Sequence, residues 1–131
     1  MTAQKSFAVS ELSVGMRSSY AKTLSKSDVA TFAELSGDNN PVHVDEEFAA
    51  TTMFRGCIAH GMLTGALLST VIGTQLPGVG TIYLSQSLRF KAPVMVGDHV
   101  EASVEVTEVD GDRNRVTLAC ECKVGDKVVL D

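Results

Sequence analysis

The chain changes its hydrophobic period once, and the change separates a helical first part from a stranded second part. From Ser25, SKSDVATFAELSG puts Val29, Phe32 and Ala33 on one helical face, with Ser27 as the expected N-cap and Gly37 as a left-handed stop. DEEFAATT, residues 45–52, reads as a short helix whose acidic first turn complements the helix dipole. IAHGMLTGALLSTVIGTQL, residues 58–76, is apolar on nearly every side, which predicts a helix buried all round, ended by Pro77 and Gly78. After Gly80 the period falls to two. In TIYLSQSLRF, Ile82, Leu84, Gln86, Leu88 and Phe90 alternate with small or polar neighbours, as a half-covered strand does. HVEASVEVTEV and RVTLACECKV repeat the alternation, and VDGDR between them carries the Asp-Gly of a tight hairpin. Residues 17–24 and 126–130 are weaker strand candidates.

Helices followed by antiparallel strands, with one helix too apolar to face water, imply an α+β architecture. A curved antiparallel sheet wrapped around a long buried central helix satisfies that pattern, and this is the hot-dog fold. A sheet of about five strands leaves edges unpaired, and joining two copies edge to edge removes one edge from each, so a homodimer is expected.

Composition narrows the picture. A chain of 131 residues, 44% of them hydrophobic, is expected to form one domain over residues 1–131 that folds without a metal or disulfide. The net charge of -5, with no basic stripe, argues against nucleic acid as a partner. His60, Thr64, Ser69, Thr70 and Thr74 interrupt the apolar run and no basic anchors flank it, so no membrane span is expected. MTAQKSFAVSEL lacks the apolar core of a signal peptide, and three cysteines without metal-ligand spacing suit the reducing cytoplasm.

The candidate chemistry lies in SGDNNPVHVD, directly after the first helix. The Asn-Pro step biases its preceding residue away from the helical region, so Asp38 and His43 share a bent loop, in which Asn40 is expected to bond backbone groups. Taken alone, an Asx-turn aspartate and a satisfied loop histidine would be the readier explanation of these residues.

The wider sequence favours chemistry. FAELSGDNNPVHVDEEFA followed by IAHGML, and then LLSTVIGTQLPGVGTIYLSQSLRFKAPVMVGD, resembles the MaoC-like hydratases over about residues 27–110. The resemblance is specifically to the (R)-specific 2-enoyl-CoA hydratases that feed polyhydroxyalkanoate synthesis. It implies reversible hydration of trans-2-enoyl-CoA to (R)-3-hydroxyacyl-CoA, linking fatty acid oxidation to polyhydroxyalkanoate precursors. No metal or redox cofactor is implied, since coenzyme A belongs to the acyl-CoA thioester substrate. It further implies that Asp38 and His43 are the catalytic acid-base pair, that the Gly61 N–H polarises the thioester carbonyl, and that the Ser69 hydroxyl helps hold the aspartate.

Water addition to such a thioester sets three tasks: taking a proton from water as it attacks C3, giving a proton to C2, and stabilising charge on the thioester oxygen. Two groups gripping one water can share the first two tasks. A glycine N–H in the first turn of a buried helix suits the third, because the thioester can approach the bare backbone closely. The floor of the acyl pocket is expected among Met53, Phe54, Leu67, Leu68 and Val71, and short acyl chains are the expected preference. His60 is expected to be structural or to cap the helix, His99 to lie on the surface, and Cys57 has no evident base. Three rivals share the expected fold. They are a dehydratase acting on acyl carrier protein, an acyl-CoA thioesterase and a non-catalytic acyl-binding subunit.

Overall fold

Four strands, β1 (Arg17–Thr23), β2 (His99–Asp110), β3 (Arg115–Val124) and β4 (Lys127–Leu130), form one antiparallel sheet in the order β1-β2-β3-β4. The structure is a computed structural model describing residues 3–131, so Met1 and Thr2 of the expected domain lie outside the described residues. The helices are α1 (Lys26–Ser36), α2 (Pro41–Val44), α3 (Glu46–Ala50) and α4 (Gly61–Thr74). α4 packs against β1, β2 and β3 as the central helix of the expected hot-dog fold should, but it is not buried all round: Met62, Ala66, Ser69 and Gly73 are exposed on the face turned away from the sheet.

Every second residue of β2 points at α4: Val100, Ala102, Val104 and Val106 are all fully buried. Leu67, Leu68, Val71 and Ile72 of α4 meet them in one core. Each such valine, leucine or isoleucine side chain contributes about 1.5–3 kcal/mol when removed from water. Among the described residues no helix is long and apolar enough to cross a membrane.

The first helix is capped by Ser25 rather than Ser27. The Ser25 hydroxyl accepts the Asp28 N–H at 3.1 Å, and the Asp28 carboxylate accepts the Ser25 N–H at 3.0 Å. This reciprocal box needs a side-chain acceptor three residues on, and Ser27 would find only Ala30 there. The central helix starts at Gly61 rather than Ile58, because Ile58 bridges Met95 and the Ala59 N–H donates to the Val94 carbonyl. The hairpin between β2 and β3 is wider than a two-residue turn. Asp110 caps it by accepting the Arg113 N–H at 3.1 Å, and Asn114 takes a φ of 56°.

The largest difference concerns residues 81–90. They do not join the sheet as a full strand; only their end runs beside β4, with Arg89 and Asp131 exchanging N–H···O bonds at 2.7 and 3.1 Å. The sheet therefore has four strands rather than about five. Ile82 is 79%, Leu84 67% and Phe90 54% exposed, and of the alternating residues only Leu88 is half-buried. The period of two is real, but nothing among the described residues covers Ile82 and Leu84.

Candidate active site

α1 ends where Gly37 adopts a φ of 81°, a conformation that favours glycine, and its N–H bonds the Ala33 carbonyl at 2.9 Å. The chain then turns by side-chain bonds. Ser36 Oγ accepts the Asp38 N–H at 3.1 Å, Asp38 Oδ1 accepts the Asn40 N–H at 3.3 Å, and Asn40 Oδ1 accepts the Val42 N–H at 3.2 Å. The last bond makes Asn40 the N-cap of α2, with Pro41 in the first position, where its missing N–H costs nothing. The expected loop thus holds one helical turn, and His43 sits on it.

His43 is half-buried and Asp38 exposed, so both can be reached from outside. The His43 Nδ1–H donates to the Ile58 carbonyl at 2.7 Å. A carbonyl oxygen can only accept, so the proton must be on Nδ1, and in a ring carrying one proton Nε2 offers a lone pair. The ring stacks on His60 with centroids 3.8 Å apart and planes 25° apart. His60, only 2% exposed, donates from Nε2 to the Asp38 carbonyl at 2.9 Å. Asp38, His43 and His60 each bring a polar side-chain atom within 4.8 Å of the others.

His60 occupies the N-cap position of α4, yet its side chain makes no cap bond; it braces the loop instead. Sequence reasoning missed this brace, since a contact between positions 60 and 38 leaves no trace in local spacing. Gly61, the first residue of α4, has an N–H that donates to no backbone acceptor among the described residues. A Cβ there would lie 2.7 Å from Phe90 Cε1, so the ring rests directly on the bare backbone.

Other expected positions are dispersed. Ser69 is exposed on α4, roughly 12 Å along the axis from Gly61 at the helical rise. No hydrogen bond joins it to Asp38 within the described residues. Met53 is 87% exposed, Phe54 half-buried, and Leu67, Leu68 and Val71 lie in the core. A cavity of about 420 Å³ opens beside His43, lined by Lys26, Glu46, Arg55, Cys57 and Met95 among others, and none of the five expected pocket residues faces it. Three of them, Leu67, Leu68 and Val71, lie on the side of α4 that packs into the core.

Asp38, His43 and His60 could be read as a metal-ligand set. One nitrogen of each ring bonds a carbonyl, which fixes the ring and leaves its other nitrogen free of a hydrogen bond among the described residues. The three cysteines are free. Burial, followed by the nearby Glu46 carboxylate, raises the Cys57 pKa; burial raises Cys120, and pushes Cys122 up to about 12. Each shift disfavours the thiolate, so the site does nothing to activate a thiol nucleophile.

The family described as MaoC like domain matches residues 9–126. The chain is 54% identical over 121 residues to a 3-hydroxybutyryl-CoA dehydratase of Methylorubrum extorquens, a match covering 92% of this chain and 77% of that protein. It is 50% identical over 121 residues to an (R)-specific enoyl-CoA hydratase of Rhodospirillum rubrum, covering 92% and 84%. Among solved structures, the (R)-hydratase from A. caviae involved in PHA biosynthesis superposes with a TM-score of 0.88 at 48% identity, covering 91% of each chain.

Proposed function

The chain belongs to the MaoC-like family, and from that premise we propose that Asp38 and His43 grip one water and add it across the double bond of a trans-2-enoyl-CoA. The protein acts as an (R)-specific enoyl-CoA hydratase, a reversible hydro-lyase that forms (R)-3-hydroxyacyl-CoA. The observation that carries the assignment of residues is the His43 hydrogen bond. With Nδ1–H engaged by the Ile58 carbonyl at 2.7 Å, Nε2 is left to accept a proton from water, and Asp38 is near enough to hold the same molecule.

The water oxygen bonds to C3, one of its protons passes to the pair, and the pair returns a proton to C2. The thioester gains one H and one OH, and the enzyme is regenerated. Each acid-base role is worth about 10²- to 10⁴-fold in rate. Electron density displaced from the double bond collects on the thioester oxygen. The Gly61 N–H, at the positive end of α4, is the donor assigned to it, and one such donor is worth about 3 kcal/mol in other enzymes. The balance is complete without a metal or redox cofactor, coenzyme A being part of the substrate.

The uncovered stripe of Ile82, Leu84 and Phe90 supports a homodimer, because a second copy with the same stripe can cover it. The likeness to a hydratase involved in PHA biosynthesis supports supply of (R)-3-hydroxyacyl units from fatty acid oxidation to polyhydroxyalkanoate, and three free cysteines suit the cytoplasm. The test presents a short enoyl-CoA, a medium enoyl-CoA and an enoyl carrier protein, with and without a chelator. The expected result is (R)-3-hydroxyacyl-CoA, unaffected by chelation and without free thiol. Free thiol as the main product would indicate a thioesterase, and turnover of the carrier-protein thioester alone would indicate the rival dehydratase.

A further inference from the structure

We propose that His60 is a positioning residue that sets Asp38 against His43 and ties both to the oxyanion donor at Gly61. The inference rests on the hydratase reading above and extends it to a side chain that need not touch substrate. Asp38 stands on an exposed turn and has little burial of its own to fix it. His60 holds its backbone from the α4 side, through Nε2–H to the Asp38 carbonyl at 2.9 Å. The same ring stacks on His43 at 3.8 Å and is packed in turn by the Phe32 ring at 4.8 Å. One buried imidazole therefore touches both members of the pair, and the next residue in the chain is Gly61.

Two simpler roles do not account for these contacts. A capping side chain would bond a free N–H of the first turn, and His60 makes no such bond. A core filler would be apolar, or would pair both ring nitrogens, yet His60 Nδ1 is buried with no partner among the described residues. An unpaired buried nitrogen is unfavourable, and a phenylalanine would avoid it while keeping the stack. What phenylalanine would lack is the N–H donated to Asp38.

Steady-state kinetics on a short enoyl-CoA separate these contributions. His60→Phe keeps a stacking ring and removes the donor; His60→Gln keeps a donor and removes the ring. His60→Phe is expected to lower kcat by about 10- to 100-fold, the scale of a small misplacement of reacting groups, with KM changed less than about twofold. His60→Gln should recover part of that loss. In an Asp38→Asn background the further effect of either substitution should nearly vanish, because a residue that acts through Asp38 has nothing left to position. A merely structural residue would instead reduce activity by the same factor in both backgrounds. Wild-type kcat in His60→Phe, or equal losses with and without Asp38, would overturn the proposal. Should His60→Phe not fold, the same comparison with His60→Gln decides, equal losses again overturning it. Inactivity of the wild type on every enoyl thioester would be a separate outcome, refuting the hydratase reading and this one with it.

Discussion

At the residue scale, the chemistry depends on which polar atoms the fold has already engaged. His43 Nδ1 and His60 Nε2 are taken by carbonyls, so what remains for a substrate is His43 Nε2, the Asp38 carboxyl and the Gly61 N–H. Gly61 gives the sharpest residue-level prediction. An added Cβ would lie 2.7 Å from Phe90 Cε1, and the ring must shift to admit it, a cost offset by up to about 1 kcal/mol of helix propensity. Gly61→Ala should therefore stay folded and melt near the wild-type temperature while kcat falls by at least about tenfold, the methyl holding the thioester off its donor. Thermal melting and kinetics on one preparation check this; unchanged kcat would remove Gly61 from the site. Asp38, His43 and Gly61 are singled out by the family resemblance rather than by the loop alone, and the fold brings Asp38 and His43 together and starts α4 at Gly61. The part His60 plays is not legible in the sequence, because its role arises from two segments meeting across the fold.

At the scale of elements, local pattern and tertiary competition divide the outcome. β3 occupies residues 115–124 as its alternation predicts, since one face packs on a core and period two is what that requires. The N-cap of α1 moved to Ser25 because a capping box outweighs a lone serine. That box should be sensitive to acid. The N–H of Ser25 chiefly, opposed by partial burial and assisted by Lys22, lowers the pKa of Asp28 from its ordinary 3.8. A carboxyl with a lower pKa in the folded state adds stability above its unfolded pKa, and this is lost as pH falls through the folded value. The stability gap between wild type and Asp28→Asn, measured by denaturant unfolding, should thus be widest near neutral pH and narrow below about pH 4. A gap that widened in acid would contradict the box as described. The acyl pocket is less legible for a related reason: an apolar run cannot say which of its faces meets a sheet and which a ligand, and in the fold Leu67, Leu68 and Val71 lie in the core between α4 and the sheet.

At the scale of the whole molecule, periodicity told which residues of 81–90 want cover without telling what covers them. Within one chain Ile82 and Leu84 stay 79% and 67% exposed, and Phe90 carries the same stripe onto Gly61. A second copy would bury the stripe and seal the approach to the donor. Sedimentation of the wild type should give twice the chain mass, and Leu84→Glu should yield folded monomer with reduced activity; a fully active wild-type monomer would contradict the pairing. The claim on which the whole account turns is that Asp38 and His43 work as one unit on one water. Its most direct test is hydration of a short enoyl-CoA by wild type, Asp38→Asn, His43→Gln and the double variant, with folding verified for each. Expected are (R)-3-hydroxy product from the wild type, a kcat lower by about 10²- to 10⁴-fold in each single variant, and a double variant little worse than either. Near-normal hydration by folded Asp38→Asn would contradict it and leave the loop as only a turn.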